Sequence, residues 1–139
     1  MDATNKETNI RRSIKKFFFE GITDVPIYFD RSFTANAPSD QWISVILQAL
    51  RPRAVSIMSM PIYLNTTNDI EGDKLSMLRD KVVELLEPGR LDLFDTFQTP
   101  WVKVNGIQLV IESQSRLRFG PDQSKTCWIM TTLRWGAKW

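Results

Sequence analysis

The sequence contains no histidine, and its only cysteine is Cys127. Without histidine the chain lacks the commonest general base and the commonest metal ligand, and no catalytic triad that uses an imidazole can form. A single cysteine excludes a disulfide within the chain. These absences remove many enzyme and metalloprotein classes, so we expect no catalytic site, no metal site and no cofactor.

Long hydrophobic runs are also missing. The apolar cluster near the N-terminus, Phe17 to Phe19, is too short for a signal-peptide core or a membrane span. The 139 residues fit one domain, and a hydrophobic content of 42% is enough for one core. We therefore expect a soluble intracellular protein with one domain over residues 1–139, a flexible N-terminal tail at 1–7 and no membrane partner.

The six glycines and the acidic residues form no pattern typical of a catalytic site. The glycines are scattered at predicted turns, without a phosphate-binding motif. Asp92, Asp95 and Glu112 could act as acids or bases only if the fold brought two of them together in a cleft, and ion-paired or solvated carboxylates are commoner. Cys127 follows the alternation of a strand beside Trp128, which is typical of a buried core thiol. An enzyme without histidine is the least supported hypothesis.

Apolar spacing predicts two helices. The first ends near Gly21, and its buried stripe consists of Ile10, Ile14, Phe17 and Phe18. The second covers Asp73 to Glu87, where leucine and valine recur at helical spacing until Pro88-Gly89 stops the helix. Asn68 or Asp69 is placed to cap its N-terminus.

The remaining segments predict strands at 26–30, 42–50, 54–64, 91–97, 101–119 and 126–135. The segment 101–119 is one long or bulged strand, in which Asn105-Gly106 could form a tight turn. Helices separated by runs of strands indicate an α+β fold, in which two helices pack on one face of a mixed, mostly antiparallel sheet in the order α-β-β-β-α-β-β-β. The strand at 54–64 is apolar on both faces. We expect a helix to cover one face and another copy of the chain to cover the other, with Met58 and Met60 as candidate interface residues.

Two groups of cations are candidate binding residues. The first lies on the helix face opposite the buried stripe and consists of Arg11, Arg12, Lys15 and Lys16. These side chains could meet phosphate or an acidic partner, although such a run is usually a solvated face. Arg116 and Arg118 alternate with apolar residues and could lie over a polyanion or across a subunit boundary. A net charge of +2 argues against a strongly basic nucleic-acid binder, yet a nucleic-acid-binding domain that uses the four helix cations stays the alternative hypothesis.

The tryptophans are divided between the predicted core and a predicted docking element. Trp42, Trp101 and Trp128 lie in or beside strands, and we expect them in the core. Trp135 and Trp139 lie where little chain follows to bury them, and tryptophan is enriched at interface hot spots. We therefore predict a C-terminal docking tail at 136–139, with Trp135 and Trp139 as interface residues.

With this order of elements, the chain resembles the tail terminator (tail-completion) proteins of long-tailed bacteriophages. The resemblance covers about residues 8 to 135 and concerns layout, because the family has no signature motif. It rests on the helix through 10–14, the segments 42–45 and 56–64, the helix 75–86 and the hairpin that ends at 131–135.

The resemblance implies a structural virion protein without enzymatic activity. Such a protein forms a hexameric ring that caps the tail tube, terminates its polymerisation and joins the tail to the head connector. The implied partners are further copies of the chain, the tail tube protein and the connector or neck protein, and DNA passes through the lumen without sequence-specific contact. The implied location is the tail and neck of the virion, after assembly in the host cytoplasm. The family fixes no lumen residues, so none is assigned by position.

Overall fold

The structure, a computed structural model, describes residues 6–31, 39–47, 55–120 and 123–136. In chain order its elements are α1 (Lys6–Gly21), β1 (Ile27–Phe29), β2 (Gln41–Val45), β3 (Val55–Thr66), α2 (Asp73–Leu86), β4 (Arg90–Asp95), β5 (Val102–Gln114), β6 (Arg118–Phe119) and β7 (Lys125–Gly136). This order confirms the predicted α+β class. It differs from the prediction by one short strand, β6.

The strands form one sheet in the order β1-β2-β3-β7-β5-β4, and β6 pairs with β7. Only β1 and β2 pair in parallel, so the sheet is mixed and mostly antiparallel, as predicted. Helix α1 contacts both β1 and β4, which are the two outer strands. The sheet therefore curls around α1.

Both helices pack against the same face of the sheet and share one hydrophobic core. Helix α2 buries the residues predicted from its spacing: Leu75, Leu78, Val82 and Leu86. Burying each of these side chains stabilises the fold by about 1.5–3 kcal/mol. In β7 every second residue from Cys127 to Trp135 is buried, as predicted for residues that share one face. Within the described ranges, neither helix is long and apolar enough to cross a membrane.

The buried stripe of α1 is wider than its apolar residues indicate. Asn9 and Ser13 are also buried, and they join the helix to the outer strand β4 and the turn after it. Ser13 Oγ accepts a hydrogen bond from the Phe94 amide at 2.9 Å, and Asn9 Oδ1 accepts one from the Thr96 amide at 2.9 Å. These bonds satisfy amide groups that an outer strand would otherwise leave open. The helix begins at Lys6, inside the segment 1–7 predicted as a tail, and residues 1–5 lie outside the described part of the chain.

Both ends of α2 are held by local hydrogen bonds. At the N-terminus the buried Asp69 carboxylate accepts bonds from the amides of Leu75 (2.9 Å) and Lys74 (3.2 Å) and from Thr66 Oγ1 (2.9 Å). Burial acts to raise the pKa of Asp69, but these hydrogen bonds outweigh it and hold the pKa below its usual value. At the C-terminus Gly89 adopts φ 72°, which favours glycine, and its amide bonds to the Leu86 carbonyl at 3.0 Å. The predicted stop of this helix is confirmed.

The long strand predicted over 101–119 is divided into β5 and β6. Its register against β7 shifts between Ile111 and Ser113, and the strand ends at Gln114. The Ser115 amide then donates to the Trp128 carbonyl, and the Ser115 hydroxyl accepts from the Trp128 amide, both at 2.9 Å. Asn105 and Gly106 lie within β5 and form no tight turn. The interruption at 115–117 separates Arg116 from the strand that contains Arg118.

Candidate interaction surfaces

Three residues predicted for an interface lie in the core of the single chain. Met58 and Met60 point to the helix-covered face of β3, opposite Leu133 and Thr131 on β7. Trp135 is only 5% exposed, because it continues the inward-facing alternation of β7 almost to the end of the strand. None of the three side chains is available to a partner on the surface, which corrects their predicted placement. Of the predicted docking tail at 136–139, Gly136 belongs to β7, and residues 137–139, which include Trp139, lie outside the described residues.

The sheet face opposite the helices also carries exposed apolar residues, and we call it the open sheet face. Ile57, Tyr63 and Val110 on this face are 62%, 41% and 43% exposed. Tyr63 is paired directly with half-buried Trp128 across β3 and β7, whereas Ile57 lies further along β3, opposite Arg134. Within the described part of the chain, neither helix covers this face. Strand β3 is therefore apolar on both faces, as its sequence predicts.

The four cations predicted on α1 do not form one patch. Arg11 turns toward β1 and the end of β2, where Nη1 lies 2.7 Å from Asp30 Oδ2 and Nη2 donates to the Leu47 carbonyl at 3.4 Å. The hydrogen bond with Asp30 raises the pKa of Arg11 above its usual value. Asp30 also accepts the Leu47 amide at 2.8 Å. Arg11 therefore ties α1 to the sheet.

The other three cations line a groove of about 790 Å³ between α1 and the turn after β4. We call it the aromatic–basic groove, and its residues are Arg12, Lys15, Lys16, Phe19, Glu20, Phe94 and Trp101. The hydrogen bonds of Asn9 and Ser13 position its walls, because they fix α1 against the chain from 94 to 96.

Aromatic rings hold the cations of this groove in place. Lys16 Nζ lies 5.3 Å from the centre of the Phe94 ring, and Arg12 Cζ lies 4.9 Å from that of Phe97. Cation–π contacts of this kind contribute about 0.5–1 kcal/mol at exposed sites. Lys16 also pairs with Glu20. The groove thus combines an apolar surface with three positive charges and one negative charge.

Trp101 belongs to this groove and not to the core. It is 41% exposed, and its ring centre lies 6.3 Å from that of Phe94. The sequence indicates that Trp101 lies outside the core strands, because it directly follows Thr99-Pro100 and precedes β5. Trp42 is buried as predicted, whereas Trp128 is half-buried on the open sheet face.

Arg116 and Arg118 are both exposed, on the interruption after β5 and on β6. They lie beside Phe119, which is almost fully exposed and whose ring centre is 4.9 Å from Lys125 Nζ. The structure does not bring these arginines together with the cations of α1 in one described pocket.

The exposed side of α2 is acidic, and its residues were not among the predicted binding residues. Its residues recur at helical spacing, and we call them the acidic face of α2: Asp73, Met77, Asp80, Glu84 and Glu87. Among the described residues, none of the four carboxylates forms an ion pair. Two neighbouring cations are engaged elsewhere, since Lys81 pairs with Asp24 and Lys74 Nζ donates to the Thr67 carbonyl at 2.8 Å.

Three of the side chains considered for catalysis are buried or bonded to neighbouring residues. Cys127 is buried, and desolvation raises the pKa of its thiol, an effect that Arg79 partly opposes. Asp92 pairs with Lys103 at 3.1 Å. Asp95 accepts bonds from Gln98 and from the Phe97 amide, which lower its pKa. In the described ranges no three cysteine, aspartate or glutamate residues are grouped to hold a metal ion.

Comparison with known proteins supports the fold. No family model matches the chain, and no curated protein matches it. A solved structure superposes with a TM-score of 0.59 over 92% of this chain and 94% of the other, at 10% sequence identity. At this identity the likeness concerns the fold alone.

Proposed function

We propose that this chain is a structural virion protein of a long-tailed bacteriophage. It forms a ring that caps the tail tube, terminates the polymerisation of the tube and joins the tail to the head connector. The ring is hexameric, as the resemblance to tail terminator proteins implies, and DNA passes through its lumen without sequence-specific contact.

The observation that carries this proposal is the open sheet face. Exposed apolar side chains that share one face with polar residues are typical of protein interaction sites. Antiparallel sheets with one solvated face normally place polar residues on it. Here that face carries polar residues and, in addition, the exposed apolar residues Ile57, Tyr63 and Val110. We assign this face to a protein partner within the assembled tail.

A second function is favoured by one feature of the aromatic–basic groove. Exposed Phe19 and Trp101 beside Arg12 and Lys15 match the combination of stacking surfaces and cations that binds single-stranded nucleic acid. That function predicts binding that weakens as salt increases. Loss of binding on replacing Arg12, Lys15 and Lys16 together by alanine would support it, and unchanged binding would exclude this site.

The test of the ring proposal uses the tail tube protein of the phage that encodes this chain. The purified chain is added to polymerising tube protein, and tube lengths are measured in negative-stain images. We expect short tubes of uniform length with a ring at one end. Unlimited growth in the presence of excess chain, with no ring at either end, would contradict the proposal.

A matched pair of variants tests the role of the open sheet face. Ile57→Lys places a charge on this face and should abolish capping, whereas Ile57→Leu should preserve it. The side chain is largely exposed, so we expect both variants to fold with stability within about 0.5 kcal/mol of the original chain. Normal capping by Ile57→Lys would show that the partner does not cover this position.

A further inference from the structure

The aromatic–basic groove and the acidic face of α2 are complementary surfaces on one chain. The groove has three cations against one carboxylate, an excess of two positive charges. The acidic face has four carboxylates without an ion-pair partner among the described residues. Opposite charges of this kind steer association and fix its orientation.

The apolar parts of the two surfaces match as well. Met77 lies midway along the acidic face and is 70% exposed, with carboxylates one turn before and about one turn after it. The groove presents Phe94 and Trp101 beside its cations. A methionine thioether makes favourable contacts with aromatic rings and adapts to irregular gaps. A long apolar side chain flanked by acids therefore has a matching receptor in a groove of about 790 Å³.

We infer that the groove binds the acidic face of α2 from a second copy of the chain, with Met77 against Phe94 and Trp101. Each copy then uses two different patches, and such a head-to-tail contact produces a closed ring when the rotation between copies permits it. The inference rests on the proposed ring function and names its subunit contact. It leaves the open sheet face for the other proteins of the tail. The contact forms between copies in solution and does not require the tube.

Charge reversal on each side tests the contact. The groove variant carries Arg12→Glu and Lys15→Glu, which give the groove an excess of two negative charges. The helix variant carries Asp80→Lys, Glu84→Lys and Glu87→Lys, which give the acidic face an excess of two positive charges. Self-association is measured by sedimentation velocity at low salt and at increasing salt. We expect the original chain to associate and to dissociate as salt rises, and each variant alone to associate at least about tenfold more weakly.

Complementation makes the result specific to this pairing. Where the two variants alternate, an equimolar mixture presents opposite charges at every contact, and so does a chain that carries all five substitutions. Both should recover association. Arg134→Glu reverses the charge of an exposed arginine on the outward alternation of β7, opposite the helices, and it should leave association unchanged. Circular dichroism confirms that each variant is folded.

Three results would overturn the inference: an original chain that stays monomeric at low salt, single-surface variants that associate normally, or a mixture that fails to recover. These outcomes are separable from failure of the proposed function. Ile57→Lys should still associate normally while losing the ability to cap tubes, because Ile57 lies on the open sheet face. If the chain caps tubes but does not form this contact, the proposed function stands and the inference is wrong.

Discussion

Asn9 Oδ1 accepts two hydrogen bonds from Thr96, one from the amide at 2.9 Å and one from Oγ1 at 2.6 Å. Both residues are buried, and 87 positions separate them along the chain. The pair holds α1 against the turn that follows β4. Because Arg12 lies on that helix and Trp101 lies beyond that turn, the same pair shapes the aromatic–basic groove.

Replacing Asn9 by alanine should destabilise the fold by about 1–3 kcal/mol, since it leaves the buried amide of Thr96 without an acceptor. The free energy of unfolding in urea measures this loss. Thr8→Ala, at a half-exposed neighbouring position, is the control and should change stability by about 0.5 kcal/mol or less. Equal stability of the two variants would show that the hydrogen bonds of Asn9 contribute little to the free energy of unfolding.

Asp69 should give the fold a stability that is lost in acid. Its pKa is lowered in the folded state, so its contribution is present above the unfolded-state pKa of about 3.9 and disappears as pH falls through the lower, folded-state value. Asp69→Ala should cost about 1–3 kcal/mol at pH 7, because amides of α2 lose their acceptor.

The measurement compares the original chain with Asp69→Ala by urea unfolding between pH 2 and 7. The gap should be constant near neutrality and shrink below about pH 4. Glu71→Ala, an exposed acidic neighbour, should show neither effect. A gap that widens in acid would reverse the sign that the hydrogen bonds of Asp69 require.

Trp135 and Trp101 should differ sharply when each is replaced by alanine. Trp135→Ala removes a buried side chain from the end of β7 and should cost about 3–5 kcal/mol. Trp101→Ala removes a side chain from the groove and should cost less than about 1 kcal/mol. Thermal unfolding of the two variants checks this, and a reversed order would mean that their surroundings are misassigned.

The Cys127 thiol should resist modification in the folded chain. It is buried, and its raised pKa leaves less of the reactive thiolate at pH 8 than an ordinary cysteine has. With Ellman's reagent the reaction should follow unfolding, and it should be rapid in denaturant. Rapid stoichiometric reaction of the native chain would reveal an activated or accessible thiol instead.

The regular elements could be predicted from sequence because burial imposes a period on them. The alternation of β7 from Cys127 to Trp135 and the helical spacing of α2 are both found as predicted. The same alternation assigns Trp135 to the core, and its position near the end of the sequence was misleading. Met58 and Met60 follow the same reasoning, since they share the inner face of β3 with Ile62 and Leu64.

The surfaces could be predicted only in part, because they depend on contacts between distant segments. Spacing places Arg11 beside Arg12, but it cannot show that Arg11 meets Asp30 while Arg12 meets Phe97. Nor can it show that Phe94 and Trp101 face α1, since those contacts arise only when β4 becomes an outer strand. The acidic face of α2 follows from the helical spacing of its residues, although it was not among the predicted surfaces.

The central claim is that this chain acts by joining copies of itself and capping a tube. Negative-stain imaging of the purified chain, alone and with the tail tubes that the proposed function assigns to it as partners, tests this claim most directly. The account predicts rings of uniform size, free in solution and seated on tube ends. Solitary particles under all conditions, with every tube end bare, would contradict it.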